Sequence, residues 1–229
     1  MKEFYHRHLP HWQPRGAVFF VTFRLKNSLP DEVIECLREE REREKTLLAQ
    51  IPASERGQQS YLEERRYFVK WDAYLDKAEF GPRWLSQPEI ADIVKEAMHY
   101  RDRKVFDLHT FCIMSNHVHA VFEPISRSDC KSDPGKSECH SDQPKSGCQP
   151  DLPLSKIMQS LKRHTARQAN IILGREGVFW QDESYDHVIR DNEEYIRIIN
   201  YVLENPVKAG LACNWNEWRW TYCKPGILK

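Results

Sequence analysis

The chain has no excess of either charge and no apolar run long enough to cross a lipid bilayer. Lysine and arginine together number 34 among 229 residues, and aspartate and glutamate also number 34, so the formal net charge is zero. A globally basic nucleic-acid-binding protein is therefore not indicated, and any contact with nucleic acid must depend on a local patch. The first residues also lack the apolar core of a signal peptide. These absences favour a cytoplasmic protein that does not act at a membrane.

Cysteine is present in an odd number, which does not fit a disulfide framework. The seven cysteines are expected to be free thiols in a reducing compartment. Cys130, Cys139 and Cys148 recur at the same phase of a nine-residue polar repeat. This spacing fits no compact zinc knuckle, and a stretch without apolar residues cannot bury a core. We interpret residues 125–152 as a disordered loop, with metal binding by the cysteines and His140 as the alternative.

Apolar periodicity predicts alternating strands and helices in one α+β domain over residues 1–229. The predicted strands cover residues 17–25, 106–114, 118–122 and 184–190, and the predicted helices begin near residues 31, 61, 88, 154 and 192. This βαββαβ order is typical of a ferredoxin-like (RRM-like) fold, here with an extra C-terminal helix. Four antiparallel strands would carry helices on one face and leave the other face open. The charge-dense residues 38–60 are interpreted as a helical insertion after the first strand.

Local signals predict where several helices begin and end. Asp31 and Ser155 are candidate N-caps of their helices. Asp191 and Glu194 have the spacing of a capping box at the start of the last helix. That helix is expected to end before Pro206, because the residue preceding a proline disfavours the α conformation.

A histidine pair lies in the predicted hairpin, where Ser115 and Asn116 form a two-residue turn. Because side chains alternate along a strand, His117 and His119 fall on one face, about 7 Å apart. Two imidazoles in this arrangement can share a metal ion. We expect the pair on the open face of the sheet. The alternative is a structural pair that is unrelated to metal.

The last predicted helix carries Tyr201 and Asn205, which are four residues apart and therefore share a face at about 6 Å. Phenolic hydroxyls ordinarily ionise near pH 10 and are poor nucleophiles at neutral pH unless assisted. A divalent cation held by two histidines and an amide oxygen would assist by polarising a target phosphate. The alternative is a buried tyrosine followed by an asparagine that only caps the helix.

Six blocks occur along the chain in the order PHWQPRGAVFFVTFRL, GPRWL, MSNHVHAVF, LSKIMQSLKRHTARQAN, VFWQDESYDHVIRD and NPVKAGL. Together they resemble the REP-associated tyrosine transposases, which belong to the single-tyrosine HUH transposases. The likeness covers most of the chain except residues 38–60 and 125–150.

The resemblance implies a transposase-like endonuclease and strand transferase that uses Mg²⁺ or Mn²⁺ on single-stranded DNA hairpins from REP-like palindromes. It assigns His117 and His119 as the metal ligands of the HUH motif, Asn205 as a further ligand and Tyr201 as the nucleophile. Attack of Tyr201 on a backbone phosphate would leave a 5′-phosphotyrosine and a free 3′-hydroxyl. Tyr195 points off the Tyr201 face and is rejected as the nucleophile.

Candidate DNA contacts come from the aromatic, basic N-terminus, from the flank of the fourth of the long helices and from the short strand after it. They are Arg7, His8, Arg15, Lys162, Arg163 and His187. The alternatives are ordinary solvated cations, an N-terminus packed over the sheet, and a structural role for His187. The long tail and the insertion favour a monomer over a dimer.

Two other functions stay open. A rolling-circle initiator or relaxase-like nickase also uses a metal ion held by histidines to assist a tyrosine nucleophile. Such proteins usually carry a third histidine or more than one tyrosine. A catalytically silent palindrome-binding protein would keep the fold without the chemistry. The presence of His117, His119, Tyr201 and Asn205 together argues against a decayed site.

Overall fold

A five-stranded antiparallel sheet lies at the centre of this computed structural model, which describes residues 4–6, 10–12, 16–125 and 152–228. Two short strands, β1 (Phe4–His6) and β2 (Pro10–Trp12), pair with each other outside that sheet. The strands of the central sheet are β3 (Phe19–Arg24), β4 (Phe106–Ile113), β5 (His117–Pro124), β6 (Tyr185–Val188) and β7 (Thr221–Cys223). Their order is β6-β3-β5-β4-β7, so the histidine strand β5 is the middle strand.

Five α-helices within the described ranges connect the strands and flank the sheet. They are α1 (Asp31–Ala49), α2 (Ala53–Lys77), α3 (Pro88–Arg101), α4 (Leu154–Ile172) and α5 (Asn192–Lys208). Single 3₁₀ turns lie at Trp84–Ser86 and Trp215–Glu217. None of the helices in the described part of the chain is long and apolar enough to span a membrane.

One face of the sheet packs against α3 and α4. Phe23, Val118 and Phe122 are buried on this face together with Val94 of α3 and Leu161 of α4. Alternation along β3 and β5 places these apolar side chains on one side of the sheet. Burial of each large apolar side chain contributes roughly 1.5–3 kcal/mol, so this layer forms the main hydrophobic core.

The opposite face of the sheet is covered by α2 and α5. Phe20 and Val121 of the sheet pack with Phe68 of α2 and with Ile199 and Val202 of α5. The prediction of a four-stranded sheet with helices on one face and an open second face is therefore wrong. The apolar side chains of the second face need cover, and two helices that are distant in sequence supply it. The fifth strand, β7, pairs with β4 at the edge of the sheet.

The predicted helix starts agree with the structure in part. The cap at Asp191 is confirmed, because the Glu194 backbone N–H donates a hydrogen bond of 2.8 Å to the Asp191 side chain. The Glu194 carboxylate accepts from the Arg190 N–H at 2.9 Å and not from that of Asp191, so the capping box is confirmed only in part. The predicted caps Asp31 and Ser155 are wrong, because they lie in the first turns of α1 and α4, where Pro30 and Pro153 hold the cap positions. Proline suits these positions because its fixed φ matches the extended backbone found there.

Helix α5 continues past Pro206 to Lys208, so the predicted end before this proline is wrong. Proline lacks an N–H and so removes one helical hydrogen bond, a loss that costs nothing only in the first turn of a helix. Pro206 is buried, and its carbonyl accepts a hydrogen bond of 2.8 Å from the Leu211 N–H, which closes the helix. Packing therefore outweighs the local preference and keeps Asn205 within the helix.

Helices α1 and α2 form a hairpin after β3. The break between them spans only residues 50–52, so the segment interpreted as an insertion forms the end of α1 and the start of α2. Lys70 of α2 forms an ion pair with Glu40 of α1. The Arg41 guanidinium lies 4.8 Å from the centroid of the Tyr67 ring. Residues 126–151 of the predicted repeat loop lie outside the described residues.

Candidate metal and catalytic site

The two histidines of β5 meet beneath α2 and α5. Both side chains are fully buried, not open to solvent as expected, because the second face of the sheet is covered. The Nε2 atoms of His117 and His119 lie 2.9 Å apart. The strand register places Arg24 and Thr22 of β3 directly beside them. The pair therefore lies at the start of the middle strand of the sheet.

Hydrogen bonds hold both imidazole rings by their other nitrogen. Asn116 Nδ2 donates to the Leu75 carbonyl at 3.0 Å, so its Oδ1 accepts from His117 Nδ1 at 2.6 Å. Thr22 Oγ1 lies 2.8 Å from His119 Nδ1. With Nδ1 engaged in both rings, the two Nε2 atoms are the nitrogens left to face each other and the site. Either one Nε2 carries a proton that it shares with the other, or both present lone pairs that a cation can occupy.

Burial keeps both imidazoles in the neutral form that a metal ion requires. Burial lowers the pKa of His117 to about 3. The pKa of His119 lies well below its usual value, first because of burial and then because of His117 and Lys208. Neutral imidazoles keep a free lone pair on Nε2 for a cation.

Two carboxylates of α2 complete the cluster. Asp72 Oδ1 lies 3.5 Å from His119 Nε2, and Asp76 Oδ1 lies 3.6 Å from His117 Nε2. Burial raises the pKa of Asp72 well above its usual range, and the nearby Asp76 raises it further. Burial also raises the pKa of Asp76 to about 6. The Lys208 ammonium opposes both shifts.

Three oxygens of this region are buried without a hydrogen-bond partner in the described part of the chain: Asp72 Oδ1, Asp76 Oδ1 and Asn205 Oδ1. Leaving a buried acceptor unpaired costs about 1–3 kcal/mol, so three of them in one region need an explanation. The ligand atoms of Asp72, His117 and His119 all lie within 4.8 Å of one another. Oxygen and imidazole ligands together suit a divalent cation of the Mg²⁺ or Mn²⁺ type. The residues present therefore fit a metal ion.

Tyr201 joins this cluster from α5. Its hydroxyl donates a hydrogen bond to Asp72 Oδ2, the oxygen that does not face the histidines. Its ring lies edge-on to His119, with 5.7 Å between ring centroids. Lys208 Nζ lies 4.9 Å from the centroid of the same ring. A hydroxyl, a carboxylate and two imidazoles are thus connected in one continuous chain of contacts.

Asn205 follows Tyr201 by one helical turn, as the spacing predicts, and is fully buried. Its Nδ2 donates to the Tyr201 carbonyl at 2.9 Å, which leaves Oδ1 for another partner. Tyr195 lies elsewhere, with its hydroxyl 3.1 Å from His109 Nδ1. Burial raises the pKa of Tyr195 to about 12. Tyr201, and not Tyr195, is therefore the tyrosine beside the histidine pair.

Of the predicted DNA contacts, the three within the described residues are Lys162, Arg163 and His187, and they do not gather around this site. Lys162 donates to the carbonyls of Gln181 and Asp182 at 2.9 and 3.0 Å, and the neighbouring Arg163 is exposed. His187 Nε2 lies 3.0 Å from the buried Glu194 carboxylate and contacts neither histidine of the pair. The remaining predicted contacts, Arg7, His8 and Arg15, lie outside the described residues.

Asp72 and Asp76 are site residues that were not predicted from the sequence. A signal was present, because the two aspartates are four residues apart on α2 and share the helix face of the buried Phe68 and Leu75. An aspartate within an apolar stripe is seldom buried without a partner. The spacing alone does not reveal that this stripe faces the histidine strand.

No family model matches this chain, and no curated protein matches it. A solved structure of a REP-associated tyrosine transposase bound to a REP hairpin is similar to it, with a TM-score of 0.46 and 14% sequence identity. The match covers 95% of this chain and 80% of the other. A likeness at this level assigns neither a family nor a function to the chain.

Proposed function

We propose that this protein is a metal-dependent nuclease and strand transferase of the HUH transposase type, which cleaves single-stranded DNA through a covalent 5′-phosphotyrosine at Tyr201. One observation carries the proposal. The Tyr201 hydroxyl donates to one oxygen of Asp72, and the other oxygen of Asp72 faces the histidine pair without a partner. A potential nucleophile, a proton acceptor and a metal-ligand set are therefore connected through one carboxylate.

In this proposal the ferredoxin-like unit consists of β3, α3, β4, β5, α4 and β6, and α5 is the added catalytic helix. The order β6-β3-β5-β4 within the sheet supports this division. The α1–α2 hairpin is inserted between β3 and α3 and contributes the carboxylates.

Asp72, His117 and His119 would hold Mg²⁺ or Mn²⁺, and Asn205 Oδ1 would act as a further ligand. A divalent cation would supply Lewis-acid polarisation of the target phosphate. Thr22 and Asn116 fix the imidazole rings by holding the nitrogens that do not face the site.

The chemical step needs one proton acceptor and one nucleophile. Asp72 takes the proton of the Tyr201 hydroxyl through the oxygen that already accepts its hydrogen bond. The Tyr201 oxygen then bonds to phosphorus while the bond from phosphorus to the 3′ oxygen breaks, and the 3′ oxygen takes up a proton. Attack of a 3′-hydroxyl on the phosphotyrosine reverses these changes and rejoins the strand.

The substrate in this proposal is a single-stranded hairpin of the REP type, as the sequence blocks suggest. Lys208 supports an anionic substrate, because its ammonium lies over the Tyr201 ring. A monomer acting in the cytoplasm is part of the same proposal.

The test incubates purified wild type, Tyr201→Phe and the matched control Tyr195→Phe with palindromic single strands from beside the gene. Each reaction contains Mn²⁺, Mg²⁺ or a chelator and is resolved on a denaturing gel. We expect a protein–DNA adduct with either metal for wild type and Tyr195→Phe, and none for Tyr201→Phe. Tight binding without an adduct under any metal would instead support a silent palindrome-binding protein.

A further inference from the structure

The candidate site is closed to solvent and leaves no room for a nucleotide. His117, His119 and Asn205 are fully buried, and Asp72 is 1% exposed. The cavity that reaches Tyr201 encloses about 120 Å³. Binding sites for small ligands typically enclose about 300–1,000 Å³, so this cavity is too small for a nucleotide. Because the proposed reaction brings a DNA phosphate to Tyr201, one of the elements that cover the site has to move.

Helices α2 and α5 cover the site, and they are held to the sheet unequally. Helix α5 contributes Ile199, Val202 and Leu203 to the buried apolar layer of the second face. From the α1–α2 hairpin, Phe68 is the buried member of that layer, and Trp71 packs against it partly buried. Segments with few buried apolar contacts open at a lower free energy than the rest of a fold. The α1–α2 hairpin is therefore the more weakly held cover.

Most of the α1–α2 hairpin faces solvent. Among its side chains that the structure describes, the buried ones are Leu37, Phe68, Asp72 and Leu75. The ion pair between Lys70 and Glu40 joins its two helices to each other and not to the sheet. The hairpin is therefore connected internally and can move as one body.

Both connections of the hairpin to the rest of the chain contain left-handed backbone. Asn27, which precedes α1, has a φ of 61°, and Ala78, which follows α2, has a φ of 46°. Gly81 has a φ of 71°, and a side chain at this position would overlap the Asn27 carbonyl. The two connections therefore lie against each other. Hinges are a few residues at the ends of elements that take up large changes of φ and ψ, and these two connections have that form.

A polar contact holds α2 to α5 at a distance from this hinge. The Tyr61 hydroxyl donates to Glu194 Oε1, and Arg197 Nη2 donates to the Tyr61 hydroxyl at 3.1 Å. We call these three residues the Tyr61 latch. Tyr61 is roughly 25 Å from Ala78 along the helix, at 1.5 Å per residue. A hydrogen bond to a charged carboxylate is stronger than one between neutral groups, so the latch favours the closed position.

We propose that the α1–α2 hairpin is a lid over the candidate site, which opens about residues 27–30 and 78–81 to admit a DNA strand and is held shut by the Tyr61 latch. Opening withdraws Asp72 and Phe68 from the sheet and uncovers the histidine pair and Tyr201. Closing over a bound strand returns Asp72 to the histidines. This inference rests on the proposed function, and it adds a means of controlling access to that site.

The test measures how fast diethyl pyrocarbonate modifies each histidine, in a chelator and without DNA. The reagent acylates neutral imidazoles, and mass spectrometry of a digest identifies the modified peptide. His164 of α4 is exposed and serves as the internal reference. In the wild-type protein we expect His117 and His119 to react far more slowly than His164, at a rate set by opening of the lid.

Tyr61→Phe removes the hydroxyl of the latch and keeps the ring. It is compared with Tyr74→Phe, a matched control whose side chain is exposed on α2. Loss of a hydrogen bond to a charged group should raise the rate of modification of His117 and His119 about tenfold or more. Tyr74→Phe should react as wild type, and His164 should react equally in all three proteins.

Hydrogen exchange separates opening of the lid from unfolding of the whole domain. We expect Tyr61→Phe to speed up exchange of the backbone amides of α2 and to leave those of α4 unchanged. The proposal is overturned if Tyr61→Phe matches Tyr74→Phe, or if exchange rises as much in α4 as in α2. Equal modification of His117 and His164 in the wild-type protein would also overturn it, because the site would then be open.

Because no DNA is present, the result is independent of the adduct. An adduct from the wild-type protein, with unchanged histidine reactivity in Tyr61→Phe, would remove the lid and keep the chemistry. Faster histidine modification in Tyr61→Phe, with no adduct from the wild-type protein, would keep the lid and remove the chemistry.

Discussion

Asp72→Asn is expected to maintain or raise the stability of the metal-free protein and to lower its affinity for metal. The substitution keeps the size of the side chain and a hydrogen-bond acceptor for Tyr201, but removes a carboxylate that is 1% exposed and has one unpaired oxygen. An unsatisfied buried polar group costs about 1–3 kcal/mol, and more if it is charged. We therefore expect the free energy of unfolding without metal to stay constant or to rise by about 1–3 kcal/mol.

With saturating Mn²⁺ we expect the wild-type protein to be more stable than Asp72→Asn. A ligand at 100 times its dissociation constant stabilises the folded state by about 2.7 kcal/mol. For a chain of this length, 1 kcal/mol shifts the melting temperature by roughly 2–4 °C, so saturating Mn²⁺ should raise that of wild type by about 5–10 °C. Asp72→Asn should lose most of this rise, because it removes the charged member of the ligand set.

The assay is a pair of melting curves, with chelator and with Mn²⁺, for wild type, Asp72→Asn and the control Asp31→Asn. Asp31 is exposed at the start of α1, away from the histidines, so its variant should respond to Mn²⁺ as wild type does. If Asp72→Asn gains as many degrees from Mn²⁺ as wild type, the carboxylate is not a ligand and the assignment of the site is wrong.

Three further substitutions test other parts of the account. Asn205→Ala removes a buried oxygen without a partner and should lower Mn²⁺ affinity about tenfold or more by isothermal titration; unchanged affinity would exclude Asn205 as a ligand. Thr22→Val removes the group that holds His119 Nδ1 and should lower Mn²⁺ affinity by roughly 10–100-fold with little loss of stability; wild-type affinity would contradict its orienting role. Asp191→Ala removes the cap bond to Glu194 and should lower the free energy of unfolding in urea by about 1 kcal/mol while adduct formation persists. A loss of adduct without a loss of stability would contradict that reasoning.

The sequence was informative wherever a short period determines the structure. The two-residue period of a strand places His117 and His119 on one face, and the four-residue spacing places Asn205 one turn after Tyr201 on α5. The helix cap at Asp191 depends on a neighbour only three residues away. Each of these features is local, so no knowledge of packing is needed to predict it.

The remaining features depend on contacts between distant residues. Asp72 lies 45 positions before His117, and only the packing of α2 against the sheet brings the two side chains into one site. The cover of the second face has the same origin, since periodicity shows that a helix has an apolar stripe but not which sheet face it contacts. Strand β7 has only three residues, too few for a periodic signal. Pro206 shows the opposite case, in which packing overrides a correct local rule.

The central claim is a covalent bond between Tyr201 and the 5′ end of a cleaved strand. The most direct measurement is mass spectrometry of a proteolytic digest, after incubation of the wild-type protein with a palindromic single strand and Mn²⁺. We predict a nucleotide adduct on the peptide that contains Tyr201, linked through a 5′ phosphate, and its absence when a chelator replaces the metal. An adduct on another residue, or cleaved DNA with a free 5′ phosphate and no modified peptide, would contradict the proposed chemistry.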